Sequence, residues 1–181
     1  LGVYGLTLSD FINDIDASNM ADGKPVYYWI NQHDKRVPAD AGYVAIINST
    51  NITVESLTLQ ENLQGLLSAY STDITIQHSN FSNNELGIHI QSSSNITVRY
   101  SNISNNTDHG IFIPSSSNVT VYNNNFINNY GQVETNSISV WDNGYPSGGN
   151  YWSDYAGIDF YCGPYQNETG SDGIGDTPHV C

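Results

Sequence analysis

The chain has 181 residues, long enough for one domain with a sizeable core and with nothing in its length requiring two. Its 4 Lys plus Arg stand against 18 Asp plus Glu, a formal charge of -14, and no cation follows Arg99. Nucleic acid and anionic membranes need clustered positive charge, so both are excluded as partners, whereas cations and neutral glycans stay open.

No apolar run approaches the roughly 18 residues that span a bilayer, and no signal-peptide pattern opens the chain. It begins at Leu rather than Met and reads as a mature, soluble piece. Plentiful Tyr and periodic apolar positions argue against disorder in spite of the many Asn and Ser.

Residues 1–41 contain two strand-like stretches, "GVYGLTLS" and "PVYYWIN", with "IDASNMADGK" as an excursion between them. They predict one or two irregular first coils. Four similar units follow over residues 42–131, opening at Gly42, Gly65, Gly87 and Gly110. Columns stay aligned through them: Ile52, Ile74, Ile96, Val119; Val54, Ile76, Val98, Val121; Leu59, Phe81, Ile103, Phe126. Two polar columns keep the same step, Asn51, Asp73, Asn95, Asn118 and Asn62, Asn84, Asn106, Asn129.

A fixed period of this size means stacked supersecondary units, none of which can bury its apolar face alone. "NITV", "DITI" and "NVTV" alternate apolar and polar and are rich in β-branched residues, the pattern of short strands. The fold class is therefore all-β, a parallel β-solenoid with like residues stacked at the ordinary strand spacing of about 4.8 Å. The three apolar columns point inward. The Asn columns form ladders at the turns, because an unpaired buried amide costs ~1–3 kcal/mol. Thr53, Thr75, Thr97, Thr120, Leu67, His89 and Phe112 are expected to point outward, with His89 exposed.

Units such as "GIHIQSSSNITVRYSNISNN", together with residues 22–54 before them and 141–180 after them, resemble the NosD-like surface proteins of archaea. These carry right-handed parallel β-helix repeats of the carbohydrate-binding and sugar-hydrolase superfamily. The resemblance implies a right-handed parallel β-helix. Residues 132–140 supply one more strand pair, so the expected stack has about six coils.

The tail, residues 132–181, is rich in aromatic and acidic residues. Its rings either cover the open end of the solenoid or form a stacking platform for sugars at Trp141, Trp152 and Tyr155. Asp154, Asp159, Glu168, Asp172 and Asp176 have no Lys or Arg nearby to pair them, and calcium coordinated by their oxygens would relieve the repulsion. The EF-hand pattern does not fit: with Gly173 in its sixth place, Gly170 falls third and His179 twelfth. Cys162 and Cys181 are read as a disulfide, which points to an oxidising, extracytoplasmic setting. Glycosylation sequons occur at Asn48, Asn51, Asn80, Asn95, Asn102, Asn105, Asn118 and Asn167.

Function divides three ways. Stacked end to end, the solenoid would be a non-enzymatic, extracellular or cell-surface filament subunit whose partner is itself, held by calcium and decorated with glycans. Alternatively it is a surface module that binds glycans. A lyase or hydrolase is the weakest reading: the outward positions hold no stacked carboxylate pair, and Arg99 stands alone. The five histidines, His33, His78, His89, His109 and His179, are scattered in the repeat frame and favour no copper site.

Overall fold

The structure is a computed structural model that describes residues 1–177 and His179. Three parallel sheets wind around a common axis. The first holds Lys24–Ile30, Tyr43–Ile47, Gln64–Ala69, Leu86–Gln91, His109–Ile113 and Gly131–Thr135. The second holds His33–Arg36, Thr50–Glu55, Thr72–Gln77, Ser94–Arg99, Ser117–Tyr122 and Ser139–Val140. In the third are Thr58–Gln60, Asn80–Ser82, Asn102–Ser104, Asn125–Ile127 and Tyr151–Trp152. The result is a parallel β-helix of five complete turns with a partial first one, against the expected six. The first coil supplies no strand to the third sheet.

Register follows the repeat. Ile52 pairs with Ile74, Ile74 with Ile96 and Ile96 with Val119, while Leu59, Phe81, Ile103 and Phe126 align likewise in the third sheet. All of these are at most 1% exposed, so each contributes the ~1.5–3 kcal/mol of a buried aliphatic or aromatic side chain.

Three polar ladders run up the inside of the corners. Backbone N–H groups of Asn62, Asn84 and Asn106 donate to Oδ1 of Asn84, Asn106 and Asn129 at 3.0, 3.0 and 3.1 Å. Each of the side-chain amides of Asn84, Asn106 and Asn129 donates back to a carbonyl of the preceding coil. A second ladder passes through Ser49, Ser71, Ser93, Ser116 and Ser137, and a third through Ser79, Ser101, Asn124 and Asn150. The Asn51 column is different. Its members sit outside at left-handed φ of 50 to 56°, a conformation that Asn and Asp adopt at little cost. The repeat glycine has its own reason: a Cβ on Gly87 would lie 2.5 Å from the carbonyl oxygen of Gly110.

The N-terminal segment overturns two expectations. "GVYGLTLS" is not a strand of a coil; residues 1–7 run as an extended strap into a short 3-10 helix, Leu8–Phe11, across the outer face of the first sheet. Gln64 reads the strap like a peptide, accepting from Val3 N and donating to Val3 O, both at 2.9 Å. Gln91 donates to Gly5 O and Tyr70 Oη to Leu6 O. Phe11 packs with Tyr28, Tyr43, Ala45, Ile47 and Leu67 in a second, outer core. Leu67 and His89 point outward as expected, but His89 is not exposed: the two are 0% and 1% exposed because the N-terminal segment covers them. The excursion, residues 15–24, adds Met20–Ala21, antiparallel to Lys24–Ile30.

Candidate functional site

The corner between the second and third sheets carries one left-handed residue per coil: Ser56, His78, Tyr100 and Asn123, with φ of 59, 49, 52 and 54°. Asn and His take this conformation readily, whereas a bulky Tyr is strained in it, and such strain concentrates at functional sites. Here it holds two rings out at the corner. His78 stacks on Tyr100 with centroids 5.2 Å apart and planes 10° apart, and Tyr122 meets Tyr100 edge-on at 6.0 Å. Tyr100 is 45% exposed.

Arg99 locks the arrangement from behind. Its Nε donates to Gln77 Oε1 at 3.0 Å, its Nη1 to Tyr122 Oη at 3.1 Å, and its guanidinium lies 5.7 Å from the Tyr100 ring. Beside the rings runs an open groove of about 420 Å³ that crosses three coils, lined by Ser56, Leu57, Thr58, His78, Ser79, Asn80, Tyr100 and Asn102. Ring edges beside hydroxyls and amides suit a sugar, whose C–H surface packs against them while its hydroxyls find donors and acceptors. The lining contains no carboxylate, so it offers none of the paired acids that glycoside hydrolysis uses.

The expected sugar platform in the tail is built otherwise. Trp152 stacks on Phe126 with centroids 4.4 Å apart, and His179 stacks on Trp152 at 4.5 Å, so the inward column continues upward as a lid. Trp141 and Trp152 both pack against the main core, and Tyr155 Oη donates to Thr177 O at 2.7 Å. These rings close the end of the third sheet.

The acidic residues of the tail bind backbone. Asp159 accepts from Ser171 Oγ and from the N–H groups of Asp172 and Gly173. The Ser171 hydroxyl first, then the Gly173 and Asp172 N–H groups, hold its carboxyl below the usual carboxylate range. Asp176 accepts from Phe160 N and Tyr161 N, and Asp172 from Gly163 N, Gln166 Nε2 and Ile174 N. Asp154 pairs with Gln132 and His179, while Glu168 lies on a short hairpin opposite Cys162. Among the described residues no three His, Cys, Asp or Glu side chains are placed to hold a metal ion. Cys181, the expected disulfide partner of Cys162, lies outside the described residues.

Of the sequon asparagines, Asn48, Asn51, Asn95, Asn102, Asn105, Asn118 and Asn167 are exposed and Asn80 is half-buried in the groove. The amides of Asn51, Asn95 and Asn118 are tied into the outer ladder, donating to Asp34, Asp73 and Asn95.

The model of one protein family, described as periplasmic copper-binding protein (NosD), matches residues 32–157, more than half of the chain. The chain belongs to the NosD family. That span covers the solenoid from the second sheet's first strand to the start of the cap. No curated protein matches the chain. Among solved structures, a protein from Parabacteroides merdae described as a candidate glycosyl hydrolase is similar at 8% identity, covering 63% of this chain and 81% of its own, with a TM-score of 0.32. At that level the likeness carries no inference about this NosD-family chain. No helix among the described residues is long and apolar enough to cross a membrane.

Proposed function

We propose that this NosD-family chain is a non-catalytic cell-envelope protein that binds neutral polysaccharide along its axis through the Tyr100 groove. The observation that carries the reading is the pair His78 and Tyr100, held at left-handed φ and stacked face to face beside a groove of amides and hydroxyls. Neutral chains are favoured because the net charge of -14 repels acidic ones, and Arg99 already serves Gln77 and Tyr122. Copper does not suit the residues present. It seeks imidazole or thiolate ligands gathered in one place, whereas His33, His78, His89, His109 and His179 lie apart and no ligand trio exists among the described residues.

A glycan array with the intact chain, Tyr100→Ala and Trp152→Ala tests the reading. Signal on neutral polysaccharides should fall severalfold, up to about tenfold, in Tyr100→Ala, the loss expected for one ring contact, and persist in Trp152→Ala. Retention by Tyr100→Ala would refute it.

A second reading, head-to-tail stacking, draws on the sheet ends. His33–Arg36 and Ser139–Val140 are the two outermost strands of the second sheet, and all four residues of the former are exposed. A second copy placed end-on would continue that sheet without closing it, and so build a filament. Calcium would then bridge copies through Asp154, Asp159, Glu168, Asp172 or Asp176, since no trio forms within one chain among the described residues. Light scattering with calcium and with chelator tests this; particles that stay monomeric under both conditions would rule it out.

A further inference from the structure

A second cavity lies where the strap ends. It measures about 470 Å³ and is lined by Tyr4, Gly5, Leu6, His89, Gln91, Phe112 and Pro114. His89 has no neighbour of opposite charge bonded to it. Its Nδ1 faces Gln64 Nε2 at 3.2 Å, and because that amide nitrogen can only donate, Nδ1 is the bare acceptor and Nε2 carries the hydrogen. Nε2 is buried without a partner. Buried polar groups are nearly always paired, so an orphaned N–H in a residue 1% exposed marks a place for an acceptor.

Position shows where that acceptor would come from. Gln64 sits one coil back, opposite Leu86, and Phe112 sits one coil on, directly opposite His89. The imidazole lines the cavity together with the rings of Phe112 and Tyr4. The Phe112 ring lies 5.0 Å away and the Tyr4 ring 6.0 Å away. Tyr4 is 50% exposed and its hydroxyl donates to Glu85 Oε1 at 3.3 Å, so a ligand that displaces this ring would reach Nε2.

We infer that this cavity is a binding site for a small uncharged ring compound bearing a carbonyl or ether oxygen. The ring lies between Phe112 and Tyr4, and the oxygen accepts from His89 Nε2. Charge selects against the alternatives. An anion would meet Glu85 and Asp108, which flank Tyr4, and a cation would face the His89 N–H donor, which offers it no lone pair. The site is separate from the Tyr100 groove and does not depend on what that groove binds.

Acetophenone is a suitable probe, titrated into the intact chain at neutral pH with histidine-ring and backbone amide signals followed by NMR. The expected result is a saturable shift of the His89 Nε2–H signal together with the Gly5 amide. Binding should weaken about tenfold in Phe112→Ala, which removes a half-exposed ring, and be unchanged in Tyr100→Ala. His89→Phe should abolish it. The inference is overturned if no saturable shift appears, or if Phe112→Ala titrates like the parent chain.

Discussion

Asn106 donates both its backbone N–H and its side-chain amide to Oδ1 of Asn129, at 3.1 and 2.7 Å. The same side chain accepts from Asn84 N and donates to Phe81 O. One residue therefore joins three coils, and it is 2% exposed. Asn106→Ala strands two buried backbone groups of the preceding coil, Asn84 N–H and Phe81 C=O, each costing ~1–3 kcal/mol. Denaturant unfolding should show a loss of roughly 2–5 kcal/mol. The neighbouring Asn105→Ala, exposed at a left-handed corner, should cost about 1 kcal/mol.

Acid should loosen the strap. Burial pushes His89 down to about 4 from its ordinary 6.5, so the folded chain resists a proton that the unfolded chain accepts. Stability is whole above about pH 6.5, falls by ~1.4 kcal/mol per unit as the pH drops toward 4, and loses of order 3 kcal/mol in all. Protonation also puts a hydrogen on Nδ1 against Gln64 Nε2, which breaks the two-way pairing of Gln64 with Val3. Amide exchange at residues 3–6 should accelerate over that pH window, and His89→Phe should remove the dependence.

Trp152 acts here as a lid between Phe126 and His179. Trp152→Ala should destabilise by about 3–5 kcal/mol, the usual cost of removing a large packed ring. The change should appear in near-ultraviolet circular dichroism and unfolding midpoint, with glycan retention by the folded fraction unaltered.

The loop 159–176 is held by carboxylates whose bonds exist only in the ionised form. Because hydrogen bonds depress the Asp159 carboxyl, its contribution is present above the ordinary carboxylate range and lost as the pH falls through its lowered value. Asp159→Asn should increase local amide exchange at Asp172 and Gly173 at neutral pH, and that difference from the parent chain should vanish in strong acid.

The solenoid was legible because stacking forces like onto like: Ile52 to Val119 keep a step set by the length of a coil. The Ser ladders were less visible, since Ser at a turn also has a purely local explanation. The strap was missed because "GVYGLTLS" alternates as a strand does. Its signal lay elsewhere, in "YVAII" at Tyr43–Ile47. Apolar residues on both parities mean burial on both faces, as all five show. The groove had a fainter mark. Ser56, His78, Tyr100 and Asn123 form a turn column in which two members are not turn residues, a mismatch that local chemistry leaves unexplained.

Hydrogen exchange on the intact chain, with and without a polysaccharide retained on the array, locates the binding surface directly. Protection is predicted at residues 56–58, 78–80 and 100–102, on three successive coils of one corner. Protection confined to residues 141–155, with the corner unchanged, would contradict the account.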